Sequence, residues 1–318
     1  MATRDIIVVG ASAGGVDALT RMIGQLPADF PAAVLLTVHI PPIGESLLPV
    51  VLRRAGALRA MHARDGERIE QGKMLIAPPD RHMIVEDRHV HLTRGPKENY
   101  ARPAIDPMFR SAAAAYGARV VGIMLSGALD DGVAGLWEIK RRGGISIVQT
   151  PEDARHPNMP RNAMAHVPVD HIGTAAEIGV LLRGLTLENV PETPVEIHRM
   201  AGIPTSISCP ECRGSLELFS NGGGILEYRC RVKHAYSPEA MLAAHSETEE
   251  RTLWSAVVAL EEGAELAENL APNLPDDTKN SAQETVKRNR EAARGIRRVI
   301  EGFNTKQVAG SLPEPTGT

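Results

Sequence analysis

Short apolar runs alternate with amphipathic stretches over the first 186 residues. Ile6 to Val9, Val34 to Val38, Met74 to Ala77, Val120 to Leu125 and Ile145 to Val148 are strand-sized runs. Between them, apolar residues fall at helical spacing over Val16 to Ile23, through Leu47, Leu48, Val51 and Leu52, and over Pro107 to Tyr116, Val133 to Arg142 and Ala175 to Leu185. Met83 to Leu92 alternates and turns at Asp87-Arg88, the pattern of a hairpin. Strands and helices in alternation predict an α/β domain over 1–186. Its sheet is mostly parallel, doubly wound by right-handed crossovers and covered on both faces.

The pattern changes after residue 186. Pro191, Pro194 and Pro204 punctuate a polar stretch that reads as a linker over 187–205. Residues 206–236 hold the cysteines, with Leu216 to Phe219 and Ile225 to Tyr228 as strands around a turn at Asn221 to Gly224. Ser237-Pro238-Glu239 is a helix start, with an N-cap serine, proline at the first helical position and an acid next. Leu253, Val257, Leu260, Ala264 and Ala267 mark one helical face. Ala282, Val286, Asn289, Ala293, Ile296, Ile300 and Phe303 mark a second. With Pro272 and Pro275 between them, these predict an antiparallel helical hairpin over 237–305, followed by a disordered tail over 306–318.

Composition narrows the function classes. The 318 residues are 43% hydrophobic and 23% charged with a net charge of −4, which points to folded domains without a strong field for nucleic acid or an anionic membrane. Aromatic residues are 3%, too few for base-stacking platforms. No apolar run approaches the ~20 residues that span a bilayer. The start of the chain runs into a strand-like segment without a signal-peptide pattern, so the expected location is the cytoplasm.

Gly10-Ala11-Ser12-Ala13-Gly14-Gly15 joins the first strand to the first helix. A dinucleotide fingerprint wants glycine where Ser12 stands, and Asp17 comes too early to hold a ribose. Gly10-x-Ser12-x-Gly14 fits a nucleophile elbow, with Ser12 above the sheet edge and the following amides pointing out of a helix N-terminus. A plain tight turn with a capping serine is the remaining reading. A serine nucleophile needs a base, and open α/β sheets gather their sites at the C-terminal ends of strands. His39 leaves the second strand there, ahead of Pro41-Pro42. The strand ending at Leu125 leads into Ser126-Gly127-Ala128-Leu129-Asp130-Asp131-Gly132. One aspartate of that pair is expected to cap the next helix and one to orient the imidazole, and spacing does not choose between them.

These segments carry a family resemblance. Gly10 to Gly15, Val38-His39-Ile40-Pro41-Pro42, Ala77 to His82, Arg102 to Asp106 with Phe109 to Ala112, Leu125 to Gly132 and Met159-Pro160 resemble, in order, the CheB-type protein-glutamate methylesterases of bacterial chemotaxis. The resemblance covers about residues 4–185. It implies hydrolysis of γ-glutamyl methyl esters on chemoreceptor helices, with no metal or organic cofactor in the chemistry. It implies a triad of Ser12, His39 and Asp131, and so chooses Asp131 over Asp130. Amides near Ala13 and in the Gly127-Ala128 turn are the implied oxyanion donors. Two departures stand out. The family's usual threonine or serine after the nucleophile is Ala13 here. Many members also begin with an inhibitory receiver domain, whereas this sequence starts at the esterase strand, so control in cis is not expected.

Cys209-Pro210-Glu211-Cys212, then Cys230 and His234, make two knuckles bridged by the predicted hairpin. That is the ligand pattern of a Cys3His structural zinc site, and about thirty residues have too little core without a metal. A redox pair at Cys209 and Cys212 is the alternative, but no thioredoxin-like βαβ unit surrounds it. Some members of the esterase family carry a similar ribbon and helix hairpin. The ribbon is expected to stand apart from the esterase core, so that metal removal spares small-ester hydrolysis. The leading function is therefore a chemoreceptor methylesterase, which also includes glutamine deamidation. The partners are methylated receptor helices and other chemosensory proteins, without nucleic acid or membrane insertion. The alternatives are a non-catalytic adaptor, or an esterase or deamidase on another regulatory protein.

Overall fold

The structure, a computed structural model, describes residues 2–44, 46–190, 201–220 and 225–309. Met1–Leu242 and Ala243–Thr318 are two compact units. In the first, seven parallel strands form one sheet. Its order is His171–Gly173, Ile145–Gln149, Val120–Met124, Ile6–Ala11, Ala33–Val38, Lys73–Ile76 and Arg59–His62. The chain builds outward from Ile6–Ala11 in one direction, then returns to add Val120–Met124 on its other side. The order therefore reverses between those two strands, and a crevice opens at their C-terminal ends.

Both faces of this sheet are covered, so its central strands are apolar at nearly every position. Ile7, Val9 and Ala11 point to one core, with Leu19, Met22, Leu52, Ile178 and Leu182 from three helices. Ile6 and Val8 point to the other, with Met108, Phe109, Leu136, Ile139, Met159 and Ala163 from three more. Side chains alternate across a strand, so one run of six serves two cores. The hairpin turns at Asp87 and Arg88 as expected, both at positive φ, and Glu67–Arg68 pairs with it as a third strand.

Two main-sheet strands, Arg59–His62 and His171–Gly173, and the helix Asn158–His166 lie in stretches that periodicity left unassigned. They are short, and much of their surface is polar or half-exposed. The stretch read as a linker also carries strands: Asn189–Val190 pairs with Ala2–Thr3, and Ile203–Ser208 opens a four-stranded antiparallel sheet. That sheet continues through Ser215–Ser220, Leu226–Cys230 and Ala235–Tyr236. The turn expected at Asn221 to Gly224 lies outside the described residues.

In the second unit, Leu253, Val257 and Leu260 pack with Ala293, Ile296 and Ile300, so the two apolar faces meet as their spacing predicted. Ion pairs Arg290–Glu268 and Arg297–Glu261 cross between the helices. The second helix runs to Ala309, four residues beyond the boundary placed at 305. The rest of the expected tail lies outside the described residues.

Candidate active site

Ser12 follows the strand Ile6–Ala11 directly. Its amide donates to the Ser126 carbonyl at 2.9 Å, and its carbonyl accepts from Gly15 at 2.9 Å, which closes a tight turn into the helix Gly15–Ile23. Gly14 has φ +73°, and a Cβ there would lie 2.8 Å from Ser126 Oγ, so the turn requires glycine twice over. His39 follows the neighbouring strand Ala33–Val38, and its amide donates to the Ala11 carbonyl at 3.2 Å. Asp131 sits in the turn after Val120–Met124. The three predicted residues thus meet over adjacent strand ends at the reversal of strand order.

His39 Nδ1 lies 3.1 Å from Ser12 Oγ, and His39 Nε2 lies 2.7 Å from Asp131 Oδ2. Asp131 is 1% exposed. Burial opposes its ionisation. The His39 ring, the Ile105 amide and the Asn99 side chain outweigh burial, and its pKa lies below the usual carboxylate value. An ionised carboxylate only accepts, so Nε2 carries the imidazole proton and Nδ1 is left to accept from Ser12 O–H. Ile105 N–H donates to Asp131 Oδ2 at 2.7 Å and Asn99 Nδ2 to Asp131 Oδ1 at 3.0 Å. This arrangement provides a serine with a base, and a base with a fixed tautomer.

The oxyanion candidates divide. Gly127 N–H donates to the His156 carbonyl at 2.9 Å, so it is already engaged and does not face the site. Among the described residues, none accepts from the Ala13 or Ala128 amides, and both residues are exposed at the crevice. Gly127 has another role. A Cβ there would lie 2.2 Å from Met159 Sδ and 2.9 Å from Ser12 Cβ, so its lack of a side chain lets the turn close over the serine.

Asp130 does not cap the following helix, whose N-cap Gly132 is left-handed and without a side-chain cap. The Asp130 carboxyl instead accepts from Ser237 Oγ at 2.5 Å and pairs with Glu239. Burial and that pairing raise its pKa to about 8.

Sequence reasoning gave no role to several residues that build the site. Ser126 is fully buried; its Oγ donates to the Ala13 carbonyl at 2.8 Å and accepts from His156 N–H at 2.9 Å. Asp106, in the first turn of the helix Ile105–Tyr116, accepts from Asn99 Nδ2 at 3.0 Å and Gly135 N–H at 2.6 Å. Its pKa is raised to about 8, by burial first and the Asp131 charge second. Its signal was an acid in an otherwise apolar helix face within a matched motif. Asn99 had no signal, since two of its three side-chain partners, Asp131 and Ser237, are remote in sequence. His82, also in a matched motif, is neutral and structural. Burial lowers its pKa, and it bridges Ala104 N–H and the Pro96 carbonyl.

The four predicted metal ligands also converge. The donor atoms of Cys209, Cys212, Cys230 and His234 all lie within 4.8 Å of one another. Cys212 Sγ is 3.6 Å from Cys230 Sγ, and His234 Nδ1 is 3.5 Å from Cys230 Sγ and 3.7 Å from Cys209 Sγ. The sulfur–sulfur edge of a tetrahedron with Zn–S bonds of about 2.3 Å is about 3.8 Å, so this donor set fits a zinc-sized ion. All three cysteines are free thiols. Glu211 lies 3.7 Å from His234 Nε2, where it can orient a ring that ligates through Nδ1.

An α/β sheet with serine, histidine and buried aspartate on adjacent strand ends has the arrangement of a serine hydrolase triad, in the order Ser, His, Asp. The CheB methylesterase family profile matches residues 7–182, and the chain belongs to that family. A protein-glutamate methylesterase/protein-glutamine glutaminase of Methanosarcina acetivorans is 42% identical over 156 residues, covering 46% of this chain and 44% of that one. A putative enzyme of the same description from Leptospira interrogans is 31% identical over 189 residues, covering 59% of this chain and 98% of its own. The chain spans less than half the length of the Methanosarcina relatives it matches. The crystal structure of the Thermotoga maritima CheB methylesterase catalytic domain is 31% identical with a TM-score of 0.55, covering 57% of this chain and 98% of that domain. Among the described residues, no helix is long and apolar enough to cross a membrane.

Proposed function

We propose that the chain hydrolyses γ-glutamyl methyl esters on chemoreceptor helices through Ser12, His39 and Asp131, and that its Cys3His cluster holds one structural zinc ion. The observation that carries the first reading is the continuous hydrogen-bond line from Ser12 Oγ through His39 to Asp131. His39 Nδ1 takes the hydroxyl proton as Ser12 Oγ attacks the ester carbonyl. The imidazolium that forms is held by the Asp131 carboxylate at Nε2. The Ala13 and Ala128 amides are the donors available to the oxyanion. His39 then gives its proton to the departing methanol, and a water activated by the same ring releases the glutamate carboxylate. Attack on a glutamine side chain follows the same course with ammonia as the leaving group, in keeping with the double description of the relatives. Incubation with methyl-labelled receptor membranes should release volatile methanol. No release from receptor, alongside turnover of a small ester, would point to a different protein substrate.

Four protein ligands leave a zinc ion no open position, so its role is to hold the ribbon rather than to activate water. Purified protein should carry one zinc per chain, and Cys230→Ser should lower that ratio. A chain that binds no zinc, or one whose Cys209 and Cys212 form a disulfide under reducing conditions, would refute the metal reading.

A further inference from the structure

The ribbon does not stand apart from the esterase core, as the sequence led us to expect. It grips the segment Glu98 to Ala101, which leads into the site. Glu98 bridges in parallel with Ala235, and Asn99 N–H donates to the Ala235 carbonyl at 2.8 Å. Lys97 pairs with Glu211, inside the first cysteine knuckle, at 3.2 Å. The Tyr100 ring packs 5.9 Å from the ring of Tyr236, in the small core that contains Cys209, Leu216 and Cys230. Tyr236 is fully buried, and its hydroxyl lies 3.7 Å from Cys209 Sγ. One line of contacts thus runs from the metal ligands to the loop.

The loop conformation it holds is unusual. Asn99 and Tyr100 have φ of 48° and 65°, the left-handed region that side chains rarely adopt in succession. The turn is closed on itself by Ala101 N–H to the Glu98 carbonyl at 2.9 Å and Glu98 N–H to the Ala101 carbonyl at 3.3 Å, and the ribbon fixes its placement from outside. That backbone aims the Asn99 side chain inward, where it is 7% exposed and fully engaged. Its amide nitrogen donates to Asp131 Oδ1 and to Asp106 Oδ2, both at 3.0 Å. Its Oδ1 accepts from Ser237 N–H, at the end of the ribbon, at 2.9 Å. The ribbon thus holds Asn99 at both its backbone and its side chain, and Asn99 holds the carboxylate that orients His39.

We infer that Asn99 is a positioning residue for the Ser12–His39–Asp131 line, and that the folded Cys3His ribbon is the part of the protein that keeps it in place. This rests on the esterase and metal readings above. Loss of the metal then acts on catalysis by releasing Glu98 to Ala101 from Ala235 and Ser237. His39, Asp106 and, further off, His82 surround the Asp131 carboxylate, and Arg110, Glu98 and Glu227 stand behind Asp106. Removing the Asn99 donor leaves the Asp131 charge less dispersed, and the imidazolium gains from it. The carboxylate then protonates at higher pH.

The test uses the full chain, zinc-loaded or treated with a chelator, as native protein and as Asn99→Ala. Each form is assayed on a γ-methyl glutamyl peptide across pH, and the His39 ring is titrated by NMR. Zinc-loaded Asn99→Ala should keep its metal and fold and lose about 10- to 100-fold in kcat, the scale of a catalytic group held slightly out of line. KM should change little, and the acid limb should move to higher pH. Chelation of the native protein should give the same loss and the same movement. Chelation of Asn99→Ala should then add little, because both changes remove one interaction. Losses that multiply, or a native protein whose ribbon unfolds while its kcat and pH profile hold, overturn the inference. If the chain hydrolyses no ester, the esterase reading fails, and the His39 titration alone decides whether Asn99 and the ribbon act on the triad. If the chain binds no zinc, the metal reading fails, and Tyr236→Ala replaces chelation as the disturbance of the ribbon. An unmoved titration in that variant overturns the inference equally.

Discussion

Asp131→Asn tests the proposed catalytic line at its most constrained point. Four N–H groups converge on the Asp131 carboxylate: His39 Nε2 and the Ile105 amide on Oδ2, both at 2.7 Å, with Asn99 Nδ2 at 3.0 Å and the Asp106 amide at 3.3 Å on Oδ1. An asparagine has one acceptor oxygen, so its NH2 must face one pair of donors. Against His39 it forces the proton onto Nδ1, and the ring can no longer accept from Ser12. Against Asn99 it keeps the tautomer but removes the charge opposite the imidazolium. Either way about two charge-assisted hydrogen bonds are lost in the transition state, at about 1.5–3 kcal/mol each. A total of about 3–6 kcal/mol corresponds to roughly a 10^2- to 10^4-fold fall in kcat. Stability should fall by less than this loss implies, because the Asp131 charge is the second cause of the raised Asp106 pKa and its removal relieves that neighbour. Methanol release from a γ-methyl glutamyl peptide measures the first effect and thermal unfolding the second. A variant within tenfold of native kcat would show that Asp131 does not orient the base.

Ser12→Ala should abolish ester turnover while thermal unfolding stays nearly unchanged, since the half-buried hydroxyl makes one hydrogen bond worth about 1 kcal/mol. Residual turnover at a tenth of the native rate would exclude Ser12 as the nucleophile. Gly127→Ala should cost activity heavily, because Met159 can bend away but the new Cβ still lies 2.9 Å from Ser12 Cβ; a fully active variant would show that the turn yields freely. Stability should also depend on pH through Asp106. Folded, it keeps its proton up to about pH 8, whereas unfolded it loses it near 3.9. Its contribution is thus fully present below about pH 4 and is lost as pH rises to about 8. Asp131, held below its usual value, acts in the opposite sense and loses its contribution only as pH falls below about 3.9. Melting curves at pH 5 and pH 8 should therefore differ less in Asp106→Asn than in the native chain, and an unchanged difference would refute the assignment.

The period of the hydrophobic pattern determined much of this molecule without help. Strands buried on both faces must be apolar throughout, so Ile6 to Val9 and Val34 to Val38 declared themselves, and the glycine turn between strand and helix follows from local backbone geometry. The two helices of the second unit were equally legible, because their apolar faces repeat at helical spacing over about four and six turns. Short strands such as Arg59–His62 lack enough residues to show a period, and stayed hidden. The metal ligands could be read because knuckle spacing is local. Three things only the tertiary structure decided. Gly127 N–H is spent on His156, a partner 29 positions away, which removes it from the oxyanion donors. Asp130 turns to Ser237 instead of capping its own helix. Asn99 joins Asp131 to the ribbon through residues 32 and 138 positions distant. In each case the outcome is a hydrogen bond between groups that the chain brings together only when both cores have formed. Local sequence records which groups can donate and accept; the packing of remote elements selects which of them meet.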